Sequence, residues 1–458
     1  MIASRTPPLR LNIARALQRV HHSAVLWSAS VIVVRTAGLI CILPVVLRVL
    51  APPDVGLWYV YLGIAQVATI FEFGFSPVIG RRASYYLAGA DTVPALGLGE
   101  GVSGAQPNFD AISGLIRMSQ GLYRIIALAA TACLIFGGGT WLLLKYPAAF
   151  TRPTALIAYA ILICATAANM LSYFWGALLF GLNQVRLQQK FLLQALVLNY
   201  SVVLLGLSAG LGLIALASGQ LILGVYPRIR EKRAILQLVS GPHISRAKAH
   251  WRDLWPMTWR SGLGSIASYL SLPATTLVCA QLFDLTTAGS YGVSLQIGLM
   301  ISLLAGTWQS VTYPRLSALR ASASLREARQ LVAQRMALGL ATYVALAACA
   351  FIIAPQLLHL IKSRTTLLSR PYFALLLVAC AVDFIVGSHA AVLQTANYTP
   401  YLKAFIATAA ASVLAGIVLG RLFGVGGLIA APIAVQLSFN AWHTPQLCWR
   451  SLKPVPVV

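Results

Sequence analysis

The chain has 458 residues, 59% apolar and only 10% charged, and its 34 Lys and Arg against 10 Asp and Glu leave a net charge of +24. A soluble domain carries roughly 25% charged residues, so so much apolar surface excludes a single soluble fold. The apolar runs are unbroken and about 20 residues long, the length of a membrane-spanning helix, and not the alternating stretches of about ten that build an outer-membrane barrel.

In chain order, residues 1–23 carry Arg5, Arg10, Arg15 and Arg19 ahead of the first apolar run, which continues past signal-peptide length. They read as a retained cytoplasmic amphipathic N-terminus. Twelve apolar segments follow, at roughly 24–50, 56–80, 120–144, 154–180, 188–207, 209–227, 256–280, 286–313, 333–355, 371–394, 401–420 and 425–446. The expected fold is therefore an all-α polytopic membrane protein. Residues 24–227 form a first group of six helices and 256–446 a second. A basic cytoplasmic linker at 228–255 separates them, and 447–458 form a cytoplasmic tail. A Gly-, Ala- and Ser-rich stretch at 83–116 reads as a loop. Gly56-Leu57-Trp58-Tyr59 opens the second segment and Gly289-Ser290-Tyr291-Gly292 lies near the start of the eighth. About 25 residues later each is followed by a Pro-and-Arg exit, Pro77 with Arg81 and Arg82, and Pro314-Arg315. This parallel hints at duplicated halves, a common transporter construction.

The basic residues set the orientation. Twenty-four of them fall in alternate gaps that start with the N-terminal segment, whereas Lys145, Arg152, Lys362, Arg364, Arg370 and Arg421 fall in the others. Positive charge stays in the cytoplasm, so both termini are expected there and no nucleic-acid partner is needed to explain the charge. Trp251, Trp255 and Trp259 recur every four residues at the inner edge of the seventh segment, as an interfacial aromatic anchor would.

Catalysis finds little support. No outer gap exceeds about 15 residues, and Asp54 and Asp284 are the only acids near that side, so paired carboxylates are missing there. Neither a P-loop nor a Ser–His–Asp pattern nor a metal-ligand cluster is found. The seven cysteines are dispersed, without CxxC spacing. No enzyme, metal or cofactor is expected.

Ionisable residues inside helices are costly and point to function. Arg48 and Arg124 lie near segment ends, where they can snorkel. Arg35 lies roughly 16–18 Å from the inner surface and Glu72 roughly 12 Å, at 1.5 Å per residue, which makes an Arg35–Glu72 ion pair an expectation. Arg260 lies about 7 Å inside the seventh segment. If Arg35 and Arg260 line one cleft, its guest is an anion, because guanidinium groups bind phosphate bidentately and stay charged. Asp383, mid-way along the tenth segment without a basic partner in its helix, is a candidate for ion coupling, as is Glu72 for coupling or charge pairing.

The first hairpin carries a family resemblance. Leu43-Pro44-Val45-Val46-Leu47 leads to Leu50-Ala51-Pro52-Pro53-Asp54-Val55-Gly56-Leu57-Trp58, then to Phe71-Glu72-Phe73-Gly74-Phe75-Ser76-Pro77 and Arg81. This resembles the Wzx-like O-antigen and polysaccharide flippases of the multidrug/oligosaccharidyl-lipid/polysaccharide exporter superfamily. Their hairpin reads LxxxLGxxxYGxW, then DxGxxxxxxR. Glu72 stands at the acidic position, with Gly74 and Arg81 in similar register. Ala51 and Val55 depart from the pattern. Gly289-Ser290-Tyr291, Ser294, Trp308 and Tyr313-Pro314 add to the likeness. The resemblance implies two six-helix lobes around a central cavity and alternating access across a bacterial inner membrane. It implies an undecaprenyl-diphosphate-linked oligosaccharide as cargo, with a polysaccharide polymerase and chain-length machinery as neighbours. A multidrug or cation exporter of the same superfamily is the main alternative. A major-facilitator transporter lacks its signature Asp here, and a membrane glycosyltransferase or ligase is disfavoured by the short outer gaps.

Overall fold

A computed structural model describes residues 24–90, 106–239, 254–322, 324–395 and 399–453. The N-terminal segment 1–23, much of the 83–116 loop, Trp251 and the last five residues lie outside it. The described chain is built of α1 (Ala24–Val49), α2 (Pro52–Thr69), α3 (Phe75–Leu87), α4 (Phe109–Lys145), α5 (Pro153–Ser172), α6 (Phe174–Gly181), α7 (Val185–Ser208) and α8 (Leu213–Leu238). The second half follows with α9 (Trp255–Ser271), α10 (Thr275–Leu282), α11 (Leu285–Ser310), α12 (Tyr313–Ala321), α13 (Leu325–Leu360), α14 (Arg370–Gln394), α15 (Leu402–Val435) and α16 (Ala441–Ser451).

Among the described residues nine helices are long and apolar enough to span a membrane, and the bent pair α9–α10 makes ten. The fifty-residue stretch Leu402–Ser451 breaks at Gly424, whose φ of 65° is non-helical, and so forms two spans. α8 covers the remaining expected segment, 209–227. Its last turns carry Arg228, Arg230, Glu231, Lys232 and Arg233, so it extends eleven residues into the stretch expected to be linker.

Each break has a local cause. α2 stops at a 3₁₀ turn, Ile70–Glu72, and Phe73 and Gly74 then take φ of 50° and 72°. Glycine adopts this left-handed region freely, but phenylalanine does so only when held. The 43° bend between α9 and α10 falls at Leu272-Pro273-Ala274, where proline removes a donor and clashes with the preceding turn. Asn108 and Asp284 cap α4 and α11 by accepting from Ala111 N–H at 2.9 Å and Thr287 N–H at 3.2 Å.

The helices sort into two lobes. In the first, α1 packs on α7, α4 on α5, and α8 on both α5 and α7. In the second, α9 packs on α15, α11 on α13 and α14, and α14 on α15 and α16. Large tyrosines fill the interior, each with its hydroxyl satisfied as an apolar medium requires. Tyr61 donates to Ala155 O at 3.0 Å, Tyr291 to Thr275 Oγ1 at 2.7 Å and Tyr343 to Leu377 O at 2.7 Å.

The lobes meet along α2 and α11. The two Gly-aromatic motifs face each other there: a Cβ on Gly56 would lie 1.8 Å from Leu285 O, and one on Gly289 would lie 2.9 Å from Gly56 N. Tyr59 lies against Gly292 and donates to Gln296 Oε1. At this end Asp54 pairs with Arg152, and Arg364 N–H donates to Leu47 O at 2.9 Å. We call it the far end. The opposite, basic end carries Arg81, Arg228 and Arg260.

Candidate substrate cavity

Between the lobes at the basic end lies a cavity of about 700 Å³. Its first-lobe wall is α3, which offers Pro77, Val78 and Arg81. Glu72 sets this helix. Its carboxylate accepts from Gly74 N–H at 2.9 Å, from Ser76 N–H and from the Tyr123 hydroxyl at 2.7 Å. The first N–H groups of a helix have no partner within it, and here Glu72 fills them. The same grip holds Phe73 in its left-handed conformation. The Phe73 ring enters the second lobe, stacked on Trp255 at 5.6 Å with an 11° interplanar angle and lying over Gly262.

The second-lobe walls are α9, α14 and the start of α15. On α9, Ser261, Ser265 and Ser268 follow helical spacing and join Arg260 on the cavity. Arg260 lies 5.3 Å from the Trp259 ring centroid and Arg81 lies 5.8 Å from that of Tyr85. Such stacking fixes the plane of a guanidinium. Gln394 on α14 donates to the Tyr401 hydroxyl at 2.7 Å, and both line the space. Among the described residues no Asp or Glu lines this cavity, and the charged side chains on its wall are Arg81 and Arg260.

Asp383 lies one helical turn beyond Gly387, on the α14 face that lines the cavity. It accepts from Ser271 Oγ at 2.6 Å, and Ser271 in turn accepts from Gln436 Nε2 at 3.0 Å. Ser271 ends α9 at the bend, and Gln436 begins a π-helical turn, Gln436–Asn440. An acid thus stands behind the cavity in a polar chain that links three helices.

The structure does not bring Arg35 and Glu72 together. Arg35 is exposed on α1, and its backbone carbonyl accepts from Tyr200 on α7 at 3.1 Å. α1 packs chiefly on α7, with Gly38 against the Tyr200 ring, whereas Glu72 is turned to Tyr123 and the start of α3. Matching depth did not fix which way each helix faces. Arg35 is also absent from the cavity wall that Arg260 lines. Arg81, read from the sequence as an orientation signal and as part of the hairpin motif, lines this wall with Arg260. The serine spacing on α9 was the sequence signal for this wall. Trp255 and Trp259 are each partly exposed, as an anchor would be, but Trp255 also joins the lobes through Phe73.

Among the described residues no group of three His, Cys, Asp or Glu side chains could hold a metal ion. All seven cysteines are unpaired.

The architecture is that of the MATE transporters of the MOP superfamily. No family model matches the sequence, and no curated protein matches it. A mutant of the Vibrio cholerae MATE transporter VcmN aligns with a TM-score of 0.59 over 95% of this chain and 98% of its own, at 13% identity. A multidrug resistance MATE transporter in its outward-facing conformation gives 0.56 over 96% and 98%, at 12% identity. A Pyrococcus furiosus transporter of the same superfamily, described as having a binding pocket of reversed polarity that suggests a different function, gives 0.56 over 94% and 96%, at 14% identity. At such identities the likeness is one of fold.

Proposed function

We propose that the chain is a flippase that moves an undecaprenyl-diphosphate-linked oligosaccharide from the cytoplasmic to the periplasmic leaflet of a bacterial inner membrane, for O-antigen or exopolysaccharide assembly. The observation that carries this reading is the interlobe cavity, with Arg81 and Arg260 on its wall and no acid among the described lining residues. Two arginines facing one space from opposite lobes suit a diphosphate, which can accept bidentately from each. The basic end is the cytoplasmic one on the charge distribution, and the cavity opens beside it. Cargo therefore enters from the leaflet where lipid-linked sugars are assembled.

Transport then follows by alternating access, the lobes rocking about the α2–α11 contact. Asp383, behind the cavity and coupled to the α9 bend through Ser271, is the proposed ion-coupling group. The polymerase and chain-length machinery are the proposed downstream partners. A multidrug exporter is the second reading, favoured by the description of one aligned MATE transporter as a multidrug resistance transporter. The sign of the cavity separates the two, since an organic cation meets no counter-charge among the described residues of this wall. The Pyrococcus furiosus description likewise ties pocket polarity to function within this fold.

The test is depletion followed by a leaflet-resolved assay of lipid-linked glycan. Inner-leaflet accumulation, rescued by wild type but not by Arg81→Gln/Arg260→Gln, is expected. Normal leaflet distribution on depletion, or a block in glycan synthesis, contradicts the reading.

A further inference from the structure

A second, open-mouthed cavity, of about 490 Å³, lies beside the central one and is lined by the first lobe alone. Pro77 and Arg81 line both, so the ridge of α3 that carries them is a shared wall. Ser76, Gly80 and Ser84, four residues apart on α3, line the side cavity but not the central one. Tyr173, Gln188 and Arg228, from the α5–α6 junction, α7 and α8, complete its polar lining.

Arg228 differs from the arginines of the central cavity. Nη1 donates to buried Glu231 at 2.7 Å, while Nε and Nη2 donate to Asn169 Oδ1 at 3.3 and 3.2 Å. The guanidinium also lies 4.9 Å from the Tyr173 ring centroid. The ion pair is locally neutral, so another phosphate gains little there. A guanidinium has five N–H donors; these bonds use one on each nitrogen and leave two. A fixed, neutral and donor-rich site next to a cationic one suits a polyol. By contrast, the cleft of about 280 Å³ between α1, α11 and α13 is lined almost wholly by apolar side chains.

We infer that the side cavity is a saccharide subsite, which takes the sugar bonded to the diphosphate while Arg81, at the shared wall, holds the phosphate. Gln188, Ser84 and Arg228 meet the sugar hydroxyls. The inference rests on the flippase reading and adds to it where the glycan sits. It also makes the first sugar, and not only the diphosphate, a determinant of binding.

The experiment compares undecaprenyl diphosphate with undecaprenyl-diphosphate-N-acetylglucosamine, bound to the full-length protein in nanodiscs. Three variants are used: Ser84→Leu, which fills the cavity, Gln188→Ala, and Arg228→Gln/Glu231→Gln, which removes both charges so that neither is left buried alone. Wild type is expected to bind the sugar-bearing lipid more tightly. Each variant should lose about tenfold in affinity for that lipid, the worth of roughly one hydrogen bond, while bare undecaprenyl diphosphate stays within about twofold. Equal loss for both lipids, or loss for neither, overturns the subsite and leaves the flippase standing. If wild type binds neither lipid, the flippase reading fails with it.

Discussion

At the far end of the lobe interface α2 and α11 touch backbone to backbone, because Gly56 and Gly289 leave no side chain between them. At the basic end the same α2 strand of chain has broken at Phe73-Gly74, continued as α3, and diverged to leave a cavity edged by Arg81 and Arg260. One end is therefore closed by small residues and satisfied polar contacts, and the other opens into a cavity edged by arginines from both lobes. A transporter that exposes its site to one side at a time needs this asymmetry. It also needs the asymmetry to be reversible, and small-residue contacts without a dense hydrogen-bond network separate at modest cost.

The comparison can be broken at several points. The largest effect is expected from Arg81→Gln/Arg260→Gln. Each charge-assisted hydrogen bond contributes about 1.5–3 kcal/mol, so the affinity for undecaprenyl diphosphate should fall by on the order of a hundredfold or more. Titration of the purified protein with that lipid reads it directly. Gly56→Val attacks the closed end instead, where its Cβ would meet the Leu285 carbonyl at 1.8 Å. Backbone cannot yield as a flexible side chain does, and overpacking of this kind costs about 1–3 kcal/mol. A lowered melting temperature should follow, with diphosphate binding retained.

Phe73→Ala removes the stack on Trp255, worth about 0.5–1.5 kcal/mol beyond its area, and leaves a left-handed alanine. Phe73→Gly loses the same stack but relieves the backbone, so it should melt above the alanine variant. The reverse order would show that the backbone conformation is not what Glu72 and the stack maintain. Asp383→Asn keeps an acceptor for Ser271 and should leave folding and cargo binding alone while abolishing gradient-driven transport in proteoliposomes. Arg35→Ala is the smallest. With its side chain exposed and off the cavity wall, it should change diphosphate affinity by less than about twofold, far below what one charge-assisted bond contributes.

The helices were legible because a bilayer demands about 20 apolar residues per span. That rule placed most helix boundaries within a few residues, but it ran the second segment through the break at Phe73-Gly74. The repeated Gly-aromatic pattern at Gly56 and Gly289 was visible as a hint of duplicated halves, but not as the place where the lobes touch. Charge distribution marked Arg81 for orientation and gave no sign that it also lines the cavity. Depth along a helix can be counted from rise per residue, and Arg35 and Glu72 were matched on that count alone. Their azimuths depended on tertiary packing, on Gly38 against Tyr200 and on Glu72 capping α3 across a break. The break itself was obscured because Phe73, not a glycine, begins the left-handed pair. Arg228 was hidden for another reason: its segment read as linker, while α8 in fact extends through it.

The central claim concerns the sign of the cargo. The most direct measurement is equilibrium binding of undecaprenyl diphosphate and of the cation tetraphenylphosphonium to the wild-type protein in nanodiscs, across a range of salt. The account predicts that the diphosphate binds, weakens as salt rises, and is lost in Arg81→Gln/Arg260→Gln, while the cation does not compete. Saturable binding of the cation with none of the diphosphate would contradict it.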